Sequence, residues 1–143
     1  MNKRQRRLVN LRWYCDLAIE GARIQRARVL AGGSRHDIDF YLLSVWRLSE
    51  LARQAATSKV EGAAEVRAAM VERWPRLVEV RDWWVHARSV ERTTWFSDCV
   101  YQQGPSGSPR SVIHVRHDHD EVEAFYERLC DVLGPLPTED DMG

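Results

Sequence analysis

The chain reads as a mainly α protein, an up-and-down bundle of four to five helices with a β-hairpin between the motif helix and the C-terminal helix. Three observations predict this. Apolar residues recur at three-to-four spacing through most of residues 4–88, the period of a helix with one buried face. β-branched and aromatic residues cluster only between Thr93 and Val115, around one Gly/Pro/Ser-rich stretch. With 143 residues, of which 44% are hydrophobic, the chain can bury one core without disulfides or a metal.

The elements follow in order. Leu8, Leu11, Cys15, Ala18 and Ala22 predict a long helix over about residues 4–30, stopped by Gly32-Gly33. Ser34, with Asp37 three residues on, predicts a capped start for a second helix through about residue 56. Its inward stripe is Ile38, Tyr41, Leu42, Val45, Leu48 and Ala52. A third helical region covers about 61–88, with Val66, Met70, Leu77, Val78 and Val85 inward. Pro75 lacks a backbone donor, so a kink or a fresh start is expected near Trp74. Thr93–Tyr101 and Ser111–Val115 read as two strands around the turn Gly104–Pro109. A last helix over about 119–134 turns Val122, Phe125, Leu129 and Val132 inward, and Gly134-Pro135 ends it. Residues 1–137 form one domain, and 138–143 are an acidic, flexible tail.

Composition narrows the function. No apolar run approaches the roughly 20 residues of a membrane span, and the basic N-terminus lacks the apolar stretch of a signal peptide, so a cytoplasmic protein is expected. Cys15, Cys99 and Cys130 are odd in number and scattered, which points to neither a disulfide framework nor a zinc knuckle. Residues 1–35 carry nine bases against Asp16 and Glu20, whereas 117–143 carry nine acids against Arg128. That asymmetry means either a basic face for a polyanion or two ends that attract each other. The basic positions Arg4, Arg6, Arg7 and Arg12 are candidates for steering RNA.

The most informative segment is Arg81-Asp82-Trp83-Trp84-Val85-His86. A guanidinium holds phosphate in any protonation state, and an imidazole moves protons near neutral pH. Arg81 and His86 lie about 140° apart around a helix, while Asp82 and His86, four apart, share a face. Asp82 can then orient the ring and favour its charged form, leaving Arg81 to reach phosphate separately. An imidazolium so held can protonate a leaving 5′ oxygen, and its neutral form is the complementary base.

The segment resembles the HEPN superfamily, helical nuclease and nucleotide-binding domains of bacterial defence and toxin–antitoxin systems. The family motif is arginine, a polar residue, a short gap and histidine, late in a helical bundle, and Arg81, Asp82 and His86 match it position by position. The resemblance covers most of the chain in architecture and six residues in motif. It implies a homodimer whose two motifs meet in one cleft and cleave RNA without metal or cofactor, with an antitoxin or other protein as a further partner and no membrane attachment. Adjacent Trp83 and Trp84 are bulkier than the family's usual residues there.

Two other readings compete. The bundle could be a non-catalytic binding module for a protein or nucleotide, with Arg81 and Asp82 structural and His86 buried. It could also act only through its basic N-terminal helix within a nucleic-acid complex. His114, His117 and His119, with Asp118, Asp120 and Glu121, imitate a metal cluster, but Asp118 with Glu121, or Asp120 with Glu123, reads better as a capping box, so no metal site is expected. Trp46, Trp74, Trp83, Trp84 and Trp95 are candidates for the core or an interface. Asp39 and Glu50 could approach the Arg81 region, although a solvated helix face accounts for them as well.

Overall fold

The computed structural model describes residues 1–77, 93–96, 99–103 and 109–142; for Arg35, Met142 and residues 93–96, 99–103 and 109–112 it describes the backbone alone. Helix α1 (Lys3–Leu30) starts at Asn2, whose side chain accepts from the Gln5 N–H while the Gln5 side chain accepts from the Asn2 N–H. This reciprocal pair satisfies two donors that a helix start leaves open. The chain reverses at Gly32, where φ is +88°, a conformation natural to glycine. Helix α2 (Arg35–Thr57) follows, and the Asp37 carboxylate accepts the Ser34 N–H at 2.9 Å, as the spacing predicted.

At the far end of the pair, Arg4 donates to the Ser58 carbonyl and Arg7 Nε to Ser58 Oγ at 2.6 Å. α1 and α2 are therefore antiparallel, with two cations against the negative end of α2. Gly21 permits close packing here: a Cβ at that position would stand 2.9 Å from Ser44 Oγ.

Helix α3 (Ala63–Arg73) ends one residue short of Trp74, and the Leu77 N–H closes a turn onto the Trp74 carbonyl. Pro75 thus ends the helix. The expected continuation to residue 88, with inward Val78 and Val85, lies outside the described residues, as does most of the Gly104–Pro109 turn.

The strands correct one expectation. Thr93–Tyr101 is two strands, β1 (Thr93–Phe96) and β2 (Cys99–Gln103), paired antiparallel with Phe96 opposite Cys99. Only Ser97-Asp98 separates the paired residues, and these two polar residues interrupt the apolar run. Strand β3 (Pro109–His114) pairs antiparallel with β2, with an irregularity at Val100/Tyr101, to complete a three-stranded sheet in the order β1-β2-β3. The predicted pairing across Gly104–Pro109 is present as β2 with β3, and β1 extends it to a meander.

Helix α4 (His119–Leu133) returns along α1 in the opposite sense, since Glu123 meets Arg23 and Tyr126 meets Asp16. The predicted stripe is inward, with Val122 and Leu129 buried and Phe125 and Val132 partly so. Glu139–Met142 forms one further helical turn, α5, with the Asp141 carboxylate accepting the Thr138 N–H at 2.9 Å.

The whole is a mainly α bundle, as predicted. One core joins Leu11, Cys15 and Ile19 of α1 to Tyr41, Leu42 and Val45 of α2, and draws in Trp74, Ile113 and Leu129. Ile113 and Val115, at and just beyond the end of β3, anchor the sheet to the helices. Among the described residues no helix is long and apolar enough to cross a membrane.

Candidate functional site

The motif residues Arg81, Asp82 and His86 lie outside the described residues. The nearest described residues are Leu77 and Thr93. α3 ends at Arg73 on one side and β1 begins at Thr93 on the other, so the motif falls between the first three helices and the sheet with its closing helix.

The four arginines singled out for RNA divide by partner. Arg4 and Arg7 bind Ser58 at the end of α2. Arg12 pairs with Asp16 one turn on, and its guanidinium lies 5.9 Å from the centre of the Tyr126 ring. Arg6 is exposed and reaches the Met1 carbonyl at 3.5 Å. Three of the four thus hold helices together, a role their charge pattern alone did not reveal.

The histidine-rich segment separates rather than converges. His119, at the start of α4, is buried between two elements. Its Nδ1 is 3.0 Å from the Tyr41 hydroxyl and its Nε2 is 3.1 Å from Glu123 Oε1. Glu123 in turn accepts two 2.7 Å bonds from Arg23 Nε and Nη2. Burial raises the Tyr41 pKa, so the phenol stays protonated and donates to Nδ1, leaving Nε2–H to donate to Glu123. Burial also lowers the His119 pKa, with Glu123 opposing it, which favours the neutral ring. The Arg23 hydrogen bonds hold the Glu123 pKa below its ordinary value.

A Tyr–His–Glu relay of this kind has the parts of an acid–base site. Both ring nitrogens are occupied, however, and the ring is only 6% exposed, so nothing remains for a substrate to meet. The network fastens α4 to α1 and α2.

Asp118 corrects the capping expectation. Its backbone is helical, and its carboxylate makes no cap bond to α4; it accepts the His114 N–H at 2.9 Å and Arg73 Nη2 at 2.9 Å. Arg73 also grips Glu121, at 2.6 Å from Nε and 2.9 Å from Nη2. Glu123, the other proposed box residue, is taken by Arg23 and His119. These acids serve contacts distant in sequence. The rings of His114 and His117 stand 5.7 Å apart, and among the described residues no group of three His, Cys, Asp or Glu side chains could hold a metal ion.

Tyr126 donates to Asp16 and lies under both Arg12 and Arg23, the latter 5.7 Å from its ring centre. In the core, burial pushes the Cys15 thiol up to about 12, which leaves it unreactive at neutral pH. Of the tryptophans, Trp74 is buried edge-on to Phe125 with ring centres 5.4 Å apart, and Trp46 is half-buried. Trp83 and Trp84 lie outside the described residues, and Trp95 is described by its backbone alone. Glu50 pairs with Arg53 of its own helix, as a solvated helix face would have it.

The open surface is elsewhere. A groove of about 830 Å³ runs along α1 and α2, lined by the buried Ala18 and Leu51 and by the more exposed Tyr14, Leu17, Trp46 and Arg47. Tyr14 and Gln54 also line a second hollow of about 310 Å³, which opens under Lys3, Arg6 and Arg7. Sequence reasoning missed this groove because its walls come from two helices and from the flank of the predicted α1 stripe, where Ala18 adjoins Tyr14 and Leu17. With the geometry in place, the chain matches no protein-family profile, no curated protein and no solved structure.

Proposed function

We propose that this protein is a HEPN-like endoribonuclease, working as a homodimer in the cytoplasm within a bacterial defence or toxin–antitoxin type system, where a cognate protein would hold it in check. The observation that carries the reading is the string Arg81-Asp82-x3-His86 and its place in the chain. It follows α1, α2 and α3 and precedes the strands and closing α4, the order that the resemblance implies.

In this scheme Arg81 grips the scissile phosphate, and Asp82 orients His86 from one turn away. A neutral His86 takes the proton from the 2′-hydroxyl as that oxygen attacks phosphorus. A protonated His86, from the other subunit, gives a proton to the departing 5′ oxygen. The products are a 2′,3′-cyclic phosphate and a 5′-hydroxyl, and no metal enters the balance.

The test is cleavage of labelled RNA by the full-length protein in excess chelator. Arg81→Ala and His86→Ala should each lower the rate by about 10²–10⁴-fold, with helix content and oligomeric state unchanged. Absence of cleavage by the unaltered protein, or undiminished cleavage by both variants, would sink the reading.

A non-catalytic binding module is the second reading. It is favoured by the large apolar side chains that α1 presents to solvent: Trp13, Tyr14 and Leu17 are each more than half exposed.

A further inference from the structure

α1 is apolar on two sides. Leu11, Cys15, Ala18, Ile19 and Ala22 face the core, while Trp13, Leu17 and Ile24 fall within about 40° of one another on the opposite side. Trp13, Leu17 and Ile24 are 55%, 59% and 45% exposed, and Tyr14, at 59%, stands beside them above the groove. An ordinary surface helix has one apolar stripe facing the core and polar residues outside. Among the described residues, no packing accounts for this second stripe.

The groove beside it joins an apolar floor to a basic edge. Lys3, Arg6 and Arg7 crowd one end, Arg53 stands beside Gln54 where the two hollows meet, and Arg47 lies toward the other end. Glu50 is the one acid among the described lining residues. It is ionised, because hydrogen bonds from Arg53 lower its pKa, and it is neutralised by that same arginine. The chain as a whole has zero net charge, so this face departs from the average.

The arrangement of floor and edge selects the occupant. A single-stranded nucleic acid needs flat rings in succession beneath its bases. Here aliphatic Leu17, Ala18 and Leu51 take much of the lining, which leaves only Tyr14 and Trp46 as rings. Aromatic residues and arginine around an apolar centre are the composition of a protein interface. From Lys3 to Ala18 the hollow and the groove together span 16 residues of α1, roughly 22 Å, the length of a four-turn helix.

We propose that the outer face of α1 and α2 is a docking groove for an amphipathic helix of a partner protein, with its apolar stripe on Tyr14, Leu17 and Trp46 and its acidic flank against Lys3, Arg6, Arg7 and Arg47. Apolar anchors at three-to-four spacing supply affinity, and the charged margin supplies register and selects acidic partners. The proposal stands whether or not the protein cleaves RNA.

The test uses the full-length protein and a displayed library of 18-residue helical peptides. Their apolar stripe is constant, and their flanking positions vary among Glu, Lys, Gln and Ser. Selected binders should carry Glu on the flank and bind at micromolar dissociation constants or below. Replacing that Glu by Lys should weaken binding at least tenfold, as should Leu17→Glu or Arg47→Glu in the protein. Tyr14→Ser, at a more than half-exposed position, repeats the measurement if Leu17→Glu perturbs the fold. Lack of binders, flanks that are neutral or basic, or affinity indifferent to these variants would overturn the proposal. So would a dimer of the protein alone that Leu17→Glu dissociates, which would assign the face to a second copy. Displacement of the peptide by a twelve-nucleotide oligouridylate whose binding requires Tyr14 would overturn it in favour of RNA.

Discussion

His119 keeps both ring nitrogens in hydrogen bonds while its side chain is almost out of solvent, and this determines how the protein responds to acid. Its folded-state pKa lies below the ordinary 6.5, chiefly through burial. The unfolded chain therefore takes up this proton first as pH falls, so the stability tied to the neutral ring is complete above about pH 6.5 and declines as pH drops toward the folded-state pKa. Denaturant midpoints should fall between pH 7 and pH 5.5, and His119→Gln should flatten that limb whatever its effect at pH 7.5. Parallel pH profiles for the two proteins would refute the assignment. Arg4, Arg7 and Arg12 show at this same scale how a charge count misleads. Arg4 and Arg7 find Ser58 and Arg12 lies over the Tyr126 ring, partners that their places in the sequence do not advertise.

At the scale of elements, the corner between α1 and α2 has little freedom. The Gly33 N–H bonds the Arg28 carbonyl at 2.9 Å, closing the end of α1. A Cβ on Gly33 would stand 2.6 Å from that same carbonyl oxygen and would also collide with the Asp37 carboxylate that caps α2. The carbonyl is backbone and cannot step aside. Gly33→Ala should therefore cost about 1–3 kcal/mol in equilibrium urea unfolding, as overpacking does. A stability equal to or above that of the unaltered protein would contradict it. The corner was legible as Gly32-Gly33 before a capped serine, and so were the inward stripes of α2 and α4, because each depends on residues a few positions apart. The pairing of Phe96 with Cys99 was not anticipated. β-Branched and aromatic residues on both sides of Ser97-Asp98 form one apparent run, and only pairing partners show where such a run folds back.

For the molecule as a whole, α4 closes the bundle through charges on both flanks. Arg23 of α1 holds Glu123, and Arg73 of α3 holds Asp118 and Glu121. The acidic bias of the C-terminal quarter is spent partly here, so the two ends of the chain do attract each other within the fold. Asp118 is buried, while Arg73 is substantially exposed and so partly screened. Arg73→Met should cost about 1 kcal/mol by leaving that carboxylate with the His114 N–H. Arg53→Met, which loses a pair within one helix, should change thermal unfolding little. Equal effects would show that the Arg73 clamp is no more than a surface pair.

Periodicity, caps and breakers, all written within a few residues of one another, determined by themselves that this is a helical bundle, the bounds of α1, α2 and α4 to within a residue or so, and which of their faces turn inward. The Arg81–His86 string was legible in the same way, as a local pattern with a stated chemistry. The tertiary structure alone decided which acids meet which bases, that His119 is sealed rather than available, and that the outer face of α1 is apolar beside a basic groove. Those facts join residues as far apart as Arg23 and Glu123. Contacts of that span depend on how helices pack, and no local pattern encodes packing.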